Sequence, residues 1–184
     1  QHLVEALKNH TLAQLVVVSS DAVYGSASGV TTEESPCTPD SLHGVMSLAR
    51  EMICSEVDES NLTLIRPTAI YGIGDTHNSY GPNRFVRQVI ETGEITLFGL
   101  GEATRDHVAV NDVAEVIVQS IATRQHGVVN IACGKSISFA DLAKEVQVSG
   151  PNGSRITSTG SEPTPTFRSY DISGLIRRFP NIRM

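Results

Sequence analysis

The chain has 184 residues, of which 40% are hydrophobic and 18% are charged. This length suits one domain with a buried core, and the low charged fraction argues against intrinsic disorder. The formal net charge is −6 and there is no basic run, so nucleic acid and anionic membrane surfaces are poor candidates as partners. No apolar stretch approaches the roughly 20 residues that a membrane span requires.

Helical and strand patterns alternate along the chain. In chain order, the apolar spacing predicts a helix at 1–8, a strand at 15–18, a helix at 42–57, a strand at 62–65, a helix at 84–92, a strand at 95–98, a helix at 113–123, a strand at 128–131 and a helix at 139–146. Asn111 and Ser138 are placed to cap the last two helices. Short β-branched runs are typical of strands covered on both faces, so the pattern predicts an α/β fold with a parallel sheet. From residue 149 onward the chain is polar and loop-rich.

The cysteines and histidines do not form a metal-binding pattern. Cys37, Cys54 and Cys133 are odd in number and far apart, so neither a disulfide framework nor a metal-ligand spacing is visible. His77 and His107 also have no partner at metal-ligand spacing. We interpret the cysteines as reduced thiols, expect no metal site and predict a cytoplasmic protein.

Four motifs occur in a fixed order. They are VSSDAVYG at 18–25, RPTAIYG at 66–72, FGLGEATRD at 98–106 continuing to VNDVA at 110–114, and VNIA at 129–132. Together they resemble the NAD-dependent epimerase/dehydratase family of nucleotide-sugar enzymes, which are extended short-chain dehydrogenase/reductases. The resemblance runs from residue 1 to about residue 180.

The resemblance implies a truncated Rossmann fold. The family's Gly-rich turn, which cradles the NAD pyrophosphate, is absent, since Gly72-Ile73-Gly74 lacks the third glycine and follows the wrong element. The sequence corresponds to the C-terminal two-thirds of such an enzyme: residues 1–75 match the C-terminal part of the Rossmann sheet. Residues 76–184 match mainly the substrate-binding region, with some strands and helices returning to the Rossmann part. We therefore expect one truncated domain.

The strand at 15–18 then has a bare edge, because the strands that precede it in the family are missing. A bare apolar edge invites pairing. We therefore predict that the chain forms a homo-oligomer or joins a complementing N-terminal chain, and the family commonly dimerises through the helix that begins here near His43.

The family's catalytic pair, Tyr-x-x-x-Lys on one helix face, is replaced. His43 stands at the tyrosine position and Ser47 at the lysine position. In the family the lysine charge lowers the tyrosine pKa and holds the nicotinamide ribose. Serine supplies no charge, although a repurposed His43 base is an alternative. The resemblance therefore implies NAD as the family cofactor but predicts no complete cofactor site in this chain.

Two further catalytic positions follow the first predicted strand. Ser20 matches the Ser or Thr that hydrogen-bonds the reacting sugar hydroxyl; the alternative is a cap at the strand end. Asp21 falls where the dehydratases keep a general acid, but Ala22 replaces their second acidic residue. The alternative for Asp21 is a turn residue that bonds its own backbone.

Three residues match the family's substrate contacts. Arg105 matches an arginine that binds the nucleotide diphosphate, and a guanidinium suits phosphate because it donates two parallel hydrogen bonds. Asn83 matches a diphosphate contact at a helix start, and Arg168 a second phosphate contact. Ala69 stands where many relatives keep an Asn that touches the sugar.

The leading hypothesis is a truncated or degenerate nucleotide-sugar epimerase/dehydratase that lacks the family's oxidoreduction. Two alternatives stay open. The chain is an active split or clipped enzyme completed by a separate N-terminal half, or it is a non-enzymatic module that binds a nucleotide sugar or only oligomerises.

Overall fold

A computed structural model describes residues 2–8, 10, 12–26, 29–76, 78, 81–151, 153–160 and 165–184. The helices are α1 (His2–Lys8), α2 (Leu42–Asp58), α3 (Gly81–Thr92), α4 (Val110–Ala122), α5 (Phe139–Ser149) and α6 (Ser173–Arg178), with a 3-10 helix at Asp21–Tyr24. The strands are β1 (Leu15–Val18), β2 (Val30–Thr31), β3 (Leu62–Pro67), β4 (Ala69–Tyr71), β5 (Glu94–Leu97), β6 (Thr104–Ala109), β7 (Gly127–Ile131), β8 (Ser136–Ser138), β9 (Arg155–Ser158) and β10 (Ser169–Tyr170).

A parallel sheet in the order β1–β3–β7 forms the first part of the molecule. All six residues of β3 are buried, as expected for a strand that neighbours cover on both faces. Successive side chains of a strand point to opposite faces. Ile65 accordingly packs with Val113 and Val116 of α4, while Arg66 bonds to Glu51 of α2. The sheet therefore lies between α2 and α4.

A second part is built around the parallel pair of β5 and β9. Helices α3 and α5 cover this pair through an apolar cluster that includes Phe85, Ile95 and Leu142. The mixed sheet β4–β6–β8 lies next to it along the chain, with β4 parallel and β8 antiparallel to β6. Since β4 follows β3 after only Thr68, the two parts meet close to the carboxyl end of the first sheet.

The structure confirms an α/β architecture with parallel strands and corrects several local predictions. Ser138 caps α5 as predicted, because its hydroxyl accepts from the Asp141 amide. Asn111 is not a cap: α4 begins at Val110, and Ala109 occupies the cap position without a side-chain hydrogen bond. The region after residue 149, predicted as loop, contains β9, β10 and α6.

Within the described residues, β1 is the edge strand of its sheet. Its four residues pair in register with Leu62 to Ile65 of β3 on one side, and the described sheet ends there. Val18, the last residue of β1, is exposed.

Candidate functional site

Five of the seven predicted site residues meet at one cavity of about 330 Å³. We call it the site cavity and define it by its lining residues, Ser20, Asp21, Ala22, His43, Thr68, Ala69, Arg105, Phe139 and Arg168. They come from sequence positions 20 to 168, so the fold brings together residues from both parts of the molecule. The predicted residues outside this lining are Ser47 and Asn83.

The 3-10 helix Asp21–Tyr24 presents the first two residues. Ser20 is its N-cap, with extended backbone, and its hydroxyl accepts from the Ala22 amide at 3.1 Å. The same hydroxyl donates to Oδ1 of Asp21 at 3.3 Å. Ser20 therefore does cap a turn after β1, as the alternative interpretation states, but it also lines the site cavity.

Asp21 is held by two side chains from the far end of the chain. Its Oδ2 accepts from the Tyr170 hydroxyl at 2.6 Å and from Nη1 of Arg168 at 3.1 Å. Burial and the charge of Asp21 raise the pKa of Tyr170 above its usual value, so the phenol stays protonated and donates. Burial tends to lower the pKa of Arg168, but the Asp21 charge and Tyr170 hold it above its usual value.

Arg105 lies on β6 and binds to the segment that leads to β10. Its Nη1 donates to the Thr166 carbonyl at 3.1 Å, and its Nη2 donates to the Thr166 hydroxyl at 2.6 Å. Nη1 also donates to the Thr104 carbonyl at 2.7 Å. These hydrogen bonds hold the guanidinium at the cavity wall.

His43 and Ser47 stand one turn apart on α2 but have different surroundings. His43 is exposed and lines the site cavity, whereas Ser47 is 1% exposed and lies against the body of the protein. Gly44, between them, lets the helix approach the 3-10 helix. A Cβ at this position would collide with the Ala22 carbonyl oxygen and lie 2.9 Å from Cβ of Pro39. A glycine is therefore needed to bring His43 to the cavity.

A buried polar network fixes α2 to the sheet beneath the cavity. Arg66 donates to both carboxylate oxygens of Glu51, from Nε at 2.9 Å and from Nη2 at 2.6 Å. Its Nη1 donates to the Tyr24 hydroxyl at 2.8 Å, and that hydroxyl donates to Oδ1 of Asn130 at 2.8 Å. The network joins α2, β3, the 3-10 helix and β7. It therefore sets the register of the elements that carry His43 and Asp21.

Two ionisable residues follow Arg105 on β6. The buried Asp106 points to the other face, where its Oδ1 accepts from the Cys133 amide at 2.8 Å, and burial raises its pKa. His107 packs edge-to-face on Phe139 with ring centroids 6.0 Å apart. Burial and the nearby charge of Arg105 lower the pKa of His107 to about 4, so the ring is neutral at neutral pH.

Asn83 lies in the first turn of α3, away from the site cavity. Its side-chain amide donates to the Gly72 carbonyl at 2.8 Å and to Oδ2 of Asp75 at 2.9 Å. In this structure the amide ties α3 to the preceding loop.

Sequence reasoning missed Tyr170 as the partner of Asp21 and the pair of Glu51 and Arg66. The alternation Arg168-Ser169-Tyr170 carried a usable signal, because residues two apart in a strand share a face. Nothing in the sequence pairs Glu51 with Arg66, since they are 15 residues apart on different elements.

The structure adds two observations about other site classes. Across the described ranges, no cluster of His, Cys, Asp and Glu side chains is placed to hold a metal ion, and His77 lies outside those ranges. In the same part of the chain, none of the helices is long and apolar enough to cross a membrane.

Comparison with known sequences finds one family. The model of the NAD dependent epimerase/dehydratase family matches residues 1–132. An uncharacterized UDP-glucose epimerase of Bacillus subtilis (strain 168) is 28% identical over 120 residues, which cover 64% of this chain and 38% of that protein. A dTDP-glucose 4,6-dehydratase of Streptomyces griseus is 28% identical over 153 residues, which cover 77% of this chain and 44% of that protein.

Comparison with solved structures confirms the Rossmann-like α/β fold. The UDP-N-acetylglucosamine 4-epimerase of Methanobrevibacter ruminantium M1, in complex with UDP-N-acetylmuramic acid, has a TM-score of 0.88 at 22% identity, covering 97% of this chain and 60% of that one. The UDP-glucuronic acid 4-epimerase of Bacillus cereus, in complex with UDP-glucuronic acid and NAD, has a TM-score of 0.83 at 25% identity, with coverages of 97% and 59%. The chain thus spans about 60% of these two structures, and less than half of the two curated relatives.

Proposed function

Because the chain belongs to the NAD dependent epimerase/dehydratase family, we propose that it binds a nucleotide-diphosphate sugar in the site cavity and does not by itself carry out the family's oxidoreduction. The observation that carries this proposal is the meeting of Arg105, Arg168, Ser20 and Asp21 at one cavity. Family membership supports the nucleotide sugar as the ligand class.

The chemistry of the cavity wall supports a phosphate ligand. Two guanidinium groups, Arg105 and Arg168, line a space of about 330 Å³, within the usual size of ligand pockets. Guanidinium groups recognise phosphate oxygens by paired, charge-assisted hydrogen bonds. The Ser20 hydroxyl and the Asp21 carboxylate on the same wall suit the hydroxyl groups of a sugar, since a carboxylate accepts and a serine hydroxyl donates or accepts.

The residues at the family's catalytic positions fit NAD poorly. A nicotinamide ribose needs a charged donor where this chain has Ser47, which is uncharged and 1% exposed. Tyr24 and Tyr170 do not supply the missing base, since burial raises the pKa of both phenols. We therefore expect this chain alone to bind NAD poorly.

Calorimetric titration tests this function with UDP and UDP-glucose as probes, on the wild type and on Arg105→Ala. We expect wild-type binding that does not depend on added NAD, and a loss of about tenfold to a hundredfold in Arg105→Ala, because a charged hydrogen-bond donor is removed. Arg177→Ala is the control, since Arg177 is exposed on α6. Equal affinity in wild type and Arg105→Ala would contradict the proposal, as would NAD-dependent epimerisation by the purified chain.

The bare edge of β1 favours a second candidate, an enzyme completed by a separate N-terminal chain. A strand from that chain would continue the sheet beyond β1, where the described pairing ends. A native mass spectrum of the protein as purified from its source tests this. A second chain with bound NAD would support the split enzyme, and protomers of this chain alone would exclude it.

A second copy of this chain is the other proposed partner. The exposed face of α2 carries large apolar side chains at helical spacing, namely Leu42, Val45, Met46, Met52 and Ile53. Contiguous exposed apolar surface of this kind marks interaction sites. The same mass spectrum reports homo-oligomers directly, and light scattering of Met46→Lys against wild type shows whether this face is used.

A further inference from the structure

The contact between Asp21 and Arg168 is a single hydrogen bond. Nη1 of Arg168 donates to Oδ2 of Asp21 at 3.1 Å, and each side chain is 15% exposed. An arginine and a carboxylate that form a permanent pair commonly make two parallel hydrogen bonds. Both residues also line the site cavity, so this pair stands where a ligand reaches it.

The carboxylate of Asp21 would stay well bonded without Arg168. Oδ2 also accepts from the Tyr170 hydroxyl at 2.6 Å, and Oδ1 accepts from the Ser20 hydroxyl at 3.3 Å. Tyr170 is firmly placed, because its ring packs with Val23 and Tyr24 in a buried cluster. Departure of the arginine would therefore remove one of three donors and leave Oδ2 with room to accept another.

Arg168 is less well satisfied than its acceptor. Its Nε is buried and has no hydrogen-bond partner among the described residues. A buried donor without an acceptor is costly, so the present position of the guanidinium does not use its full capacity. A phosphate group in the cavity offers the paired acceptors that this position lacks.

We propose that Asp21 stands in for a phosphate of the ligand, so that ligand binding moves Arg168 from Asp21 to the phosphate and frees Oδ2 of Asp21 to accept a sugar hydroxyl. This inference rests on the proposed function and deepens it. Phosphate binding prepares the hydroxyl acceptor, and the site therefore selects ligands that carry both a diphosphate and a free hydroxyl. Tyr170 is the positioning residue that keeps the carboxylate in place during the exchange.

The test measures the affinity for inorganic pyrophosphate, which needs no assumption about base or sugar. We expect Asp21→Asn to bind pyrophosphate about three- to tenfold more tightly than wild type, because the competing charge is gone. Asp40→Asn is the matched control. It removes the same charge near Arg168, but the hydrogen bond of Asp40 goes to Ser26. An equal gain in both variants would show a general charge effect and overturn the exchange.

A second variant moves the affinity in the opposite direction. In Tyr170→Phe the Asp21 carboxylate depends more on Arg168, so we expect this variant to bind pyrophosphate more weakly than wild type does. A folding defect, in contrast, would lower the affinity of both Asp21→Asn and Tyr170→Phe. With UDP-glucose and UDP, Asp21→Asn should lose the extra affinity that the sugar gives wild type. If wild type binds pyrophosphate and Asp21→Asn binds it no more tightly, the exchange is overturned but the proposed function is not. Absence of pyrophosphate and UDP binding in every variant overturns the proposed function as well.

Discussion

Two arginine–carboxylate pairs, one beneath the site cavity and one in its wall, differ in geometry. Arg66 grips Glu51 through two hydrogen bonds of 2.9 and 2.6 Å, and the two side chains are 5% and 4% exposed. Arg168 reaches Asp21 through one hydrogen bond of 3.1 Å, with 15% exposure on each side. The first arginine uses its third donor group on Tyr24, whereas Nε of the second has no partner among the described residues.

The difference separates a framework contact from a ligand contact. A buried charge whose hydrogen bonds are all made has nothing to gain by moving, and removing its partner leaves an uncompensated charge. A half-satisfied arginine beside a cavity can exchange its partner at little cost. The pair of Arg66 and Glu51 therefore holds α2 on β3, and the pair of Arg168 and Asp21 is available for ligand chemistry.

The largest expected effect is on stability, from removing one member of the framework pair. Glu51→Gln leaves the Arg66 charge buried and unpaired, so we expect the free energy of unfolding to fall by about 3–5 kcal/mol. Asp21→Asn, the matched change in the cavity wall, should cost less than Glu51→Gln, because its pair has one hydrogen bond and Tyr170 remains. Urea unfolding followed by circular dichroism measures both. If Glu51→Gln and Asp21→Asn lose similar amounts of unfolding free energy, the two pairs do not differ in the way proposed.

Tyr24 and Tyr170, which bond to the first and the second pair, should differ in the same direction in their effect on the free energy of unfolding, but by less. The Tyr24 hydroxyl bonds both Arg66 and Asn130, and Tyr24 is 1% exposed. We expect Tyr24→Phe to cost about 2 kcal/mol, because two buried groups lose a partner. Tyr170→Phe should cost about 1 kcal/mol, since the Tyr170 hydroxyl donates one hydrogen bond, to Asp21, at the more exposed cavity wall. The same unfolding measurement decides, and a larger loss in Tyr170→Phe would contradict the ranking.

The elements that the sequence predicted well are those that periodicity and apolar runs define. The runs of Val, Leu and Ile in the strands at 15–18, 62–65 and 128–131 leave little ambiguity, although β1 is only partly buried and ends in the exposed Val18. β6, in contrast, begins with the four polar residues Thr104-Arg105-Asp106-His107, and no strand was predicted there. It is a strand because β4 and β8 pair with it on either side. This pairing between separate strands is not visible in the local sequence.

The sequence motifs predicted part of the site. Ser20, Asp21, His43, Arg105 and Arg168 were found by resemblance, and the fold brings all five to one cavity. Their partners were not found, because a hydrogen bond between residues 147 or 149 positions apart leaves no local pattern. The roles of the five residues stay predictions until binding is measured.

His107, which packs on Phe139 of the cavity wall, is a third polar group to compare. Both of its ring nitrogens are buried, and neither makes a hydrogen bond of good geometry in the described part of the chain. A phenyl ring fills similar space and packs on Phe139 without unsatisfied nitrogens. We therefore expect His107→Phe to raise the free energy of unfolding by about 1 kcal/mol at pH 7.

The pH dependence of this variant makes the argument specific to His107. The pKa of His107 is about 4 in the folded protein, against 6.5 for an ordinary histidine. As the pH falls below about 6.5, His107 becomes protonated in the unfolded chain but stays neutral in the folded protein. The wild type therefore loses stability as the pH falls to about 4. His107→Phe does not have this loss, so its advantage over wild type should grow by up to about 2 kcal/mol between pH 7 and pH 4.5. The difference between the two proteins is the quantity to measure, because Asp106, whose pKa is raised, titrates in both.

His126→Ala, which changes an exposed histidine, should leave the pH profile as it is. An advantage of His107→Phe that stays constant from pH 7 to pH 4.5 would show that the folded protein does not lower the pKa of His107, and would contradict this account.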